Sequence, residues 1–564
     1  MEQEAAGLQS LGISFDEDPA AKAEGIIRWT FTAPDTISGH GDVRLEAAFP
    51  EFYPYVRPDV VAPEMTMGHH QQPFGKNLCL IGRASEAWNT SDTLAWLIER
   101  QLPKALAAGT SESPDAGEED QGEPFSDYYS VFHRTSMVLI DSAWDIPDHP
   151  AGGPASVTVA GPVPLADDAR TLFTIQHLAL DDGRSVATMA EQVQELYGRL
   201  PVWKARWSTV PGEIKADDAE AIWLAAEDAD QKFSDGIKIE GVDYQLRLVA
   251  FPEEHSRSGT GTGWLLVLKR CGEMIKPKGK DLRSGNPAKR SPHQSPSQYQ
   301  LVRAGRIGPT DLRARTTHLA GLTAKHVLLL GAGALGSVIA EKLARAGIGQ
   351  LTVIDQDVLE PGNLARHACN IAQVGTTKAG AVCSLVRHIN PYTKVKGHAF
   401  RIGSAIGGSR ILAEEYADCD LIIDATAEVG VQRLTADLAA RTGKAWIAAE
   451  ATNGARGGTI VHVPPDGDWC FSCFEWHRGG DPQLLAPAGP SPLTQPSGCA
   501  EPTFTGAAHD LDEVALQAVR TAVAVLRGGT VHDAVILTIQ DSAGRDLPSW
   551  QGHQVTKHAE CLHA

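Results

Sequence analysis

The sequence predicts a multidomain α/β protein whose C-terminal part is built on a parallel sheet, and three observations predict it. The chain of 564 residues exceeds what one hydrophobic core serves. Two stretches poor in apolar residues, 107–125 and 276–299, divide it into three regions. The last region, from about residue 300, alternates strand-like apolar runs with helical periodicity around a glycine-rich turn.

That turn belongs to a complete βαβ unit, HVLLLGAGALGSVIAEKLARAGIGQLTVIDQD. His326–Leu330 reads as a buried strand, 337–346 as a helix and 351–354 as a second strand ending at Asp355. Gly331, Gly333 and Gly336 stand at GxGxxG spacing. Gly331 permits the tight turn, Gly333 carries no Cβ to hold a phosphate away, and Gly336 lets helix and strand pack closely. The helix N-terminus then offers N–H groups and a positive dipole end to phosphate. Asp355 comes 19 residues after Gly336, where a carboxylate can accept ribose hydroxyls.

A nicotinamide oxidoreductase would open the same way. The residues after Asp355 decide against it: QDVLEPGNLARHACNIAQVGTTKAGAV resembles the ThiF-type and ubiquitin-activating family, with Asp355, Asp357, Asn363, Leu364, Arg366, Val374, Gly375 and Lys378 matching its pattern. The resemblance covers about 320–530 and departs at His367, where the family has Gln. It implies a Rossmann-like adenylation domain over 300–564 that uses ATP and Mg. Adenylation brings two anions together, so fixed cations are needed where charge grows. Arg366 and Lys378 are the catalytic candidates for this, the first as a planar fork and the second as a point charge. Asn363 would orient phosphate or metal. Gly331, Gly333, Gly336, Asp355, Asp357, Asn363, Arg366, Lys378 and Asp424 form the expected nucleotide site. The family's metal aspartate falls on Ala427 in Asp424-Ala-Thr-Ala-Glu428, so Asp424 or Glu428 is expected to hold magnesium. Arg313 and Arg315 precede the first strand, where the family often has a phosphate-contacting arginine.

Two cysteine groups lie downstream. Cys470-Phe-Ser-Cys473 has zinc-ligand spacing but no second CxxC, which leaves His558, Cys561 and His563 as further ligands. Without zinc these cysteines read as small buried residues. Cys499 lies in PSGCAEPTFTG before a helix starting near Asp510. The resemblance implies that a cysteine on such a crossover loop forms a thioester with the activated substrate. Cys499 is the expected nucleophile, with Cys473 as the alternative.

Region one, 1–106, carries Phe49-Pro-Glu-Phe-Tyr-Pro54-Tyr-Val-Arg-Pro58, then His69-His-Gln-Gln-Pro-Phe-Gly-Lys-Asn-Leu-Cys79, then Trp88 and a helix over 93–106. This resembles ubiquitin-conjugating enzymes, including their ten-residue interval from His to Cys. The fold implied is an α+β domain, a meander sheet flanked by helices. Cys79 would receive the acyl group, and Gln71 stands where the family's oxyanion-stabilising asparagine does. His69 or His70 could assist proton transfer. Region two, 126–275, contains strand-like ASVTVAG, YQLRLVAF and GWLLVLKRC and a helical stretch near 186–200, with no chemical motif. It would match a linker or an inactive adenylation-like domain.

Fused proteins of this kind resemble those of CBASS-type antiphage operons. The implied partners are a protein with a free C-terminal carboxylate (a ubiquitin-like protein or a cyclic-oligonucleotide synthase), an acceptor protein and a second copy of the chain as homodimer. Fusion raises the effective concentration for thioester hand-off. The alternatives are a sulfur-carrier activator and a non-catalytic nucleotide-binding scaffold. A net charge of −20 argues against a nucleic-acid binder. No apolar run reaches membrane-spanning length, the N-terminal MEQEAAGLQS lacks a signal core, and nine cysteines fit reduced thiols. A cytoplasmic protein is expected.

Overall fold

The computed structural model describes residues 1–81, 88–110, 123–129, 134–165, 169–197, 199–212, 214, 218–232, 236–256, 259–272, 274–275, 293–403, 406–489, 505–540 and 546–561. The chain forms two compact units, Met1–Gly308 and Pro309–Ala564.

The first unit opens with the helix Glu2–Ser10 and an antiparallel meander of Phe15–Glu17, Ile27–Ala33, Val43–Phe49 and Asp59–Val61. Period-two burial along Val43–Phe49 puts Val43, Leu45, Ala47 and Phe49 inside. They meet Leu94, Leu97, Ile98, Leu102 and Leu106 of a helical run from Leu94 to Thr110. Thr93, expected as the first helical residue, instead caps that run by accepting the Trp96 N–H at 3.1 Å. The helix continues through 107–110, so these four residues, expected to open a linker, are helical.

The rest of the first unit is a β-barrel. Val242–Ser256, Gly259–Arg270, Gln298–Arg306, Met137–Ile140, Leu172–Ala179, Gly152–Ala160 and Val202–Thr209 pair in turn, and the last pairs back onto the first. Its interior is filled by Trp207, Trp264, Phe173 and Leu248. The strand-like runs of region two are strands, but Ser185–Thr188 is a strand where a helix was expected, and only Glu191–Tyr197 is helical. Gln298–Arg306 completes the barrel by pairing with Gly259–Arg270 and Met137–Ile140. The boundary expected at 300 therefore moves to 308.

The second unit is an eight-stranded sheet in the order Lys394–His398, Gln350–Ile354, His326–Leu330, Leu421–Asp424, Ala445–Ala451, Gly457–Val463, Ala534–Gln540, Asp546–His553. The first five strands are parallel, as expected, and the last three add antiparallel. Helices cover both faces. Ala334–Arg345 and Ala508–Leu526 pack together over one face, while Tyr416, Phe471 and Phe474 pack over the other. All five residues of His326–Leu330 are buried, which the apolar run Val327–Leu330 suits, while His326 Nε2 meets Thr352 Oγ1 at 3.0 Å. The strand order reverses between His326–Leu330 and Leu421–Asp424, which opens a crevice at their C-terminal ends.

Candidate functional sites

The glycine turn sits on that crevice. Gly331 has φ +84°, and a Cβ there would also lie 2.8 Å from the Ala425 carbonyl oxygen. A Cβ on Gly336 would collide with the Gly331 carbonyl oxygen. Gly333 meets nothing within 4 Å, so its face is open to a ligand, and it is the N-cap of Ala334–Arg345. A cleft opens in front of the turn. Its walls come from the ends of the first four strands: Gly331 and Gly333, then Asp355 and Asp357, then Phe400, Arg401 and Ile402, then Thr426 and Glu428.

Asp355 braces the turn rather than hanging free. Its Oδ2 accepts the Ala332 N–H at 2.7 Å and its Oδ1 the Asp357 N–H at 2.8 Å. His367, which stands where the family has Gln, braces the same turn. Its Nδ1 accepts the Cys369 N–H at 3.1 Å, so its Nε2 carries the proton donated to the Ala332 carbonyl at 2.8 Å. Burial holds this histidine below its ordinary range, which keeps it neutral.

The cations converge beside the turn. Lys378 opens the helix Lys378–Ile389, and its Nζ lies 2.7 Å from Asp357 Oδ2. A small cavity next to the cleft is lined by Gly333, Ala334, Asn363, Arg366, His367 and Lys378. Asn363 accepts the Glu360 N–H at 2.9 Å on its Oδ1, so its amide N–H groups are what it offers the cavity. That polarity suits phosphate better than metal. Arg313 and Arg315 do not line either cavity. The Arg313 stem passes beside Gly347, past the far end of the Ala334–Arg345 helix.

Asp424 corrects the expectation that it binds nucleotide and magnesium. It is fully buried, and it accepts from Thr426 N–H at 3.0 Å, Thr426 Oγ1 at 2.6 Å and Thr435 Oγ1 at 2.6 Å. Burial holds its pKa above the usual carboxylate range. Its oxygens tie strand to helix and do not reach the cleft. Glu428 does line the cleft and is exposed, and Ala427 beside it has φ 55°.

The cysteines downstream form a cluster. Cys470 Sγ lies 3.8 Å from Cys473 Sγ and 3.6 Å from Cys561 Sγ, and all three sulfurs fall within 4.8 Å of one another. Sulfurs around a tetrahedral zinc stand about 3.8 Å apart for a Zn–S bond of about 2.3 Å. The trio fits that geometry. Cys473 is fully buried within it, which removes it as an alternative acyl-accepting nucleophile. Against the effect of burial, backbone N–H donors at Cys470 and His558 hold its thiol below its ordinary range. His558 is not among the grouped ligands, and its Nδ1 accepts the Glu560 N–H at 3.2 Å. His563 and Cys499 lie outside the described residues. The described ends flanking Cys499 meet at one place: Gly489 N–H donates to Asn453 O at 2.7 Å, and Gly454 N–H donates to Thr505 O at 2.9 Å.

In the first unit Cys79 is an exposed thiol. Its N–H donates to the His70 carbonyl at 2.8 Å. Gln71 is not placed to stabilise an oxyanion. It is buried, its Oε1 accepts the Met67 N–H at 2.9 Å, and its Nε2 donates to the Ala62 carbonyl at 3.1 Å. His69 is engaged with a carboxylate, its Nε2 lying 2.8 Å from Glu254 Oε2 on a barrel strand. A second carboxylate takes the neighbouring backbone. The His70 N–H donates to both Glu123 oxygens, at 3.0 and 3.2 Å, and the Tyr128 hydroxyl donates to Glu123 Oε2 at 2.9 Å.

Residues 311–534 match the ThiF family, and residues 20–138 match prokaryotic E2 family B. "Uncharacterized protein y4oA" of Sinorhizobium fredii is 30% identical over 92% of this chain and 89% of its own length. The chain belongs to the family of bacterial proteins that fuse an E2-like domain to a ThiF domain. Two relatives match shorter spans. "ATP-dependent ubiquitin transferase-like protein Cap2" of Enterobacter hormaechei is 32% identical over 29% of this chain and 27% of its own. "Adenylyltransferase and sulfurtransferase UBA4" of Candida glabrata is 28% identical over 32% of this chain and 41% of its own. The C-terminal part is thus adenylyltransferase-like. The E2-family match runs past 106 to 138 and so includes Glu123 and Tyr128, which reading the sequence missed. Arg401 and Thr426 in the ThiF cleft were missed too. They come just after strand ends, and only their place in the cleft marks them. No helix among the described residues is long and apolar enough to cross a membrane.

Proposed function

We propose that this fused ThiF–E2 protein uses ATP to activate the C-terminal carboxylate of a protein, carries the acyl group on Cys499, passes it to Cys79 and joins it to an acceptor. The observation that carries this reading is the open, cation-lined cleft at Gly333 in the same chain as the exposed thiol Cys79. ATP, as co-substrate, would supply the α-phosphate that takes the carboxylate and the pyrophosphate that leaves. Gly331, Gly333 and Gly336 would seat its phosphates on the helix N-terminus, and Asp355 and Asp357 would border its ribose. Arg366 and Lys378 would offset the charge that grows on the phosphoryl oxygens. Asn363 would donate to a phosphate oxygen. Glu428 would hold magnesium, which here would keep most of its ligands as water and phosphate. Asp424 is left out of this set.

A ubiquitin-like protein and a cyclic-oligonucleotide synthase are the substrates we favour, and the name of the Cap2 relative, a ubiquitin transferase-like protein, supports the first. We place the reaction in the cytoplasm, in antiphage defence, with the chain as a homodimer. The name of the UBA4 relative favours a second reading, activation of a sulfur carrier, in which Cys79 has no part. The test is ATP–pyrophosphate exchange with neighbouring-gene products as substrates. We expect exchange only with a partner whose C-terminus is intact. Exchange indifferent to removal of the partner's last residues would sink the reading.

Cys470, Cys473 and Cys561 would hold a structural zinc. The purified protein is expected to contain about one zinc per chain by atomic emission. Cys473→Ser is expected to lose it and to lower the melting temperature by more than about 5 °C. Purified protein that contains no zinc, or a Cys473→Ser variant that melts like the wild type, would count against the zinc.

A further inference from the structure

The E2-like domain lacks the donor its motif leads one to expect, because Gln71 is spent on Met67 and Ala62. The space beside Cys79 is furnished instead from the segment 123–129. That segment is fixed in place. Phe74, from the loop that leads to Cys79, stacks edge-on against Phe125 with ring centroids 5.5 Å apart and lies 5.5 Å from Tyr129. Tyr129 in turn meets Phe251 of the barrel at 5.9 Å. The Ser126 N–H donates to Glu253 Oε2 at 2.9 Å. A chain of hydrogen bonds then runs from Cys79 N–H to His70 O, and from His70 N–H to Glu123, which also takes the Tyr128 hydroxyl.

We propose that Tyr128 and Glu123 complete the transfer site at Cys79, Tyr128 by receiving an attacking primary amine at its phenol oxygen and Glu123 by holding that phenol and taking its proton. The inference rests on the reading of Cys79 as an acyl carrier. Tyr128 donates its proton to Glu123, so the lone pairs of its oxygen are left to accept. Half-burial, the Glu123 charge and the nearby Cys79 sulfur all hold the phenol above its ordinary range, so it stays protonated until a proton replaces the one it passes on.

The charges around it favour an amine over water or an alcohol. Glu123 and Asp127 both act on Tyr128. Arg306, whose partner Glu253 also takes the Ser126 N–H, has its charge paired with that carboxylate at 2.8 Å. An incoming ammonium is attracted and one of its protons is shed before attack.

The step balances. The amine nitrogen bonds to the thioester carbonyl carbon, and the C–S bond breaks with its electron pair on the Cys79 sulfur. One amine proton moves to Tyr128 as the phenol proton moves to Glu123. Glu123 returns a proton through solvent to the Cys79 thiolate. The products are an amide and the free thiol.

The experiment uses the full chain and needs no ATP. Cys79 is loaded by thiol exchange with a glycylglycine mercaptoethanesulfonate thioester, and Cys79→Ala measures loading on other cysteines. Intact mass spectrometry tracks discharge onto free lysine and, separately, onto dithiothreitol. Tyr128→Phe is expected to slow lysine discharge by roughly tenfold to a hundredfold while leaving loading and thiol discharge unchanged. Glu123→Gln keeps an acceptor for the phenol but cannot take its proton, and should slow lysine discharge alike. Lysine discharge at the wild-type rate in both variants would overturn the inference, and so would a parallel loss of lysine and thiol discharge, since Tyr128 would then merely shape the loop. Wild-type protein that does not load Cys79, or whose loaded acyl group meets lysine no faster than the small thioester does, defeats the carrier reading itself.

Discussion

Lys378→Ala is expected to cut ATP–pyrophosphate exchange by roughly a hundredfold to a thousandfold and to leave the protein folded. The two halves of that expectation have separate causes. Lys378 pairs with Asp357 at 2.7 Å, but the Asp357 side chain is 53% exposed. Removing the lysine returns that carboxylate to water, and exposed pairs contribute only about 0–1 kcal/mol to stability. The same ammonium borders both the main cleft and the small cavity with Asn363 and Arg366. Its charge therefore stands where phosphoryl oxygens would gather negative charge, and a missing cation there costs far more in rate than in stability. Lys378→Arg should recover only part of the loss, because a planar fork cannot occupy the place of a point charge. Thermal melting beside the exchange assay separates the two effects. A variant that melts several degrees lower and loses exchange in proportion would mean that Lys378 acts through the fold.

What the sequence disclosed and what it hid differ by range. The glycine turn, the strand His326–Leu330 and Asp355 were legible because their physics is local: spacing, burial pattern and a helix start within one βαβ unit. Asp424 was misjudged because its partners come from two places. Thr426 is two residues on in the chain, but Thr435 comes from the next helix, and together they enclose the carboxylate. Position within a motif carries no information about such enclosure. Cys561 could be named as a candidate ligand, yet its arrival 3.6 Å from Cys470 depends on pairing the last strands of the sheet. The surroundings of Cys79 were the least legible. His70 meets Glu123 across 53 residues and His69 meets Glu254 across 185, and no periodicity links such positions. The closed barrel that supplies Glu254 was hidden for the same reason, since strand pairing is non-local.

Cys79→Ala is expected to abolish covalent attachment to the acceptor, a loss of at least about a thousandfold, with ATP–pyrophosphate exchange unchanged. The substitution is structurally mild. Cys79 is exposed, and the contact that fixes its backbone, its N–H to the His70 carbonyl, survives in alanine. The chemical loss is complete, because alanine offers no sulfur to carry an acyl group, and thioester exchange needs two aligned sulfurs. Activation takes place in the ThiF domain and does not use that thiol, so the exchange assay should not register the change. The split between the assays decides between the two readings of this family member. If Cys79 carries the acyl group, Cys79→Ala stalls the reaction with substrate held as a thiol-sensitive adduct upstream, and a further Cys499→Ala removes that adduct. If the protein activates a sulfur carrier, product forms at the wild-type rate without Cys79. Cys79→Lys sharpens the contrast: an acyl group delivered to that position would then be trapped as an amide that survives thiol treatment, whereas a sulfur-carrier activator would leave the lysine unmodified.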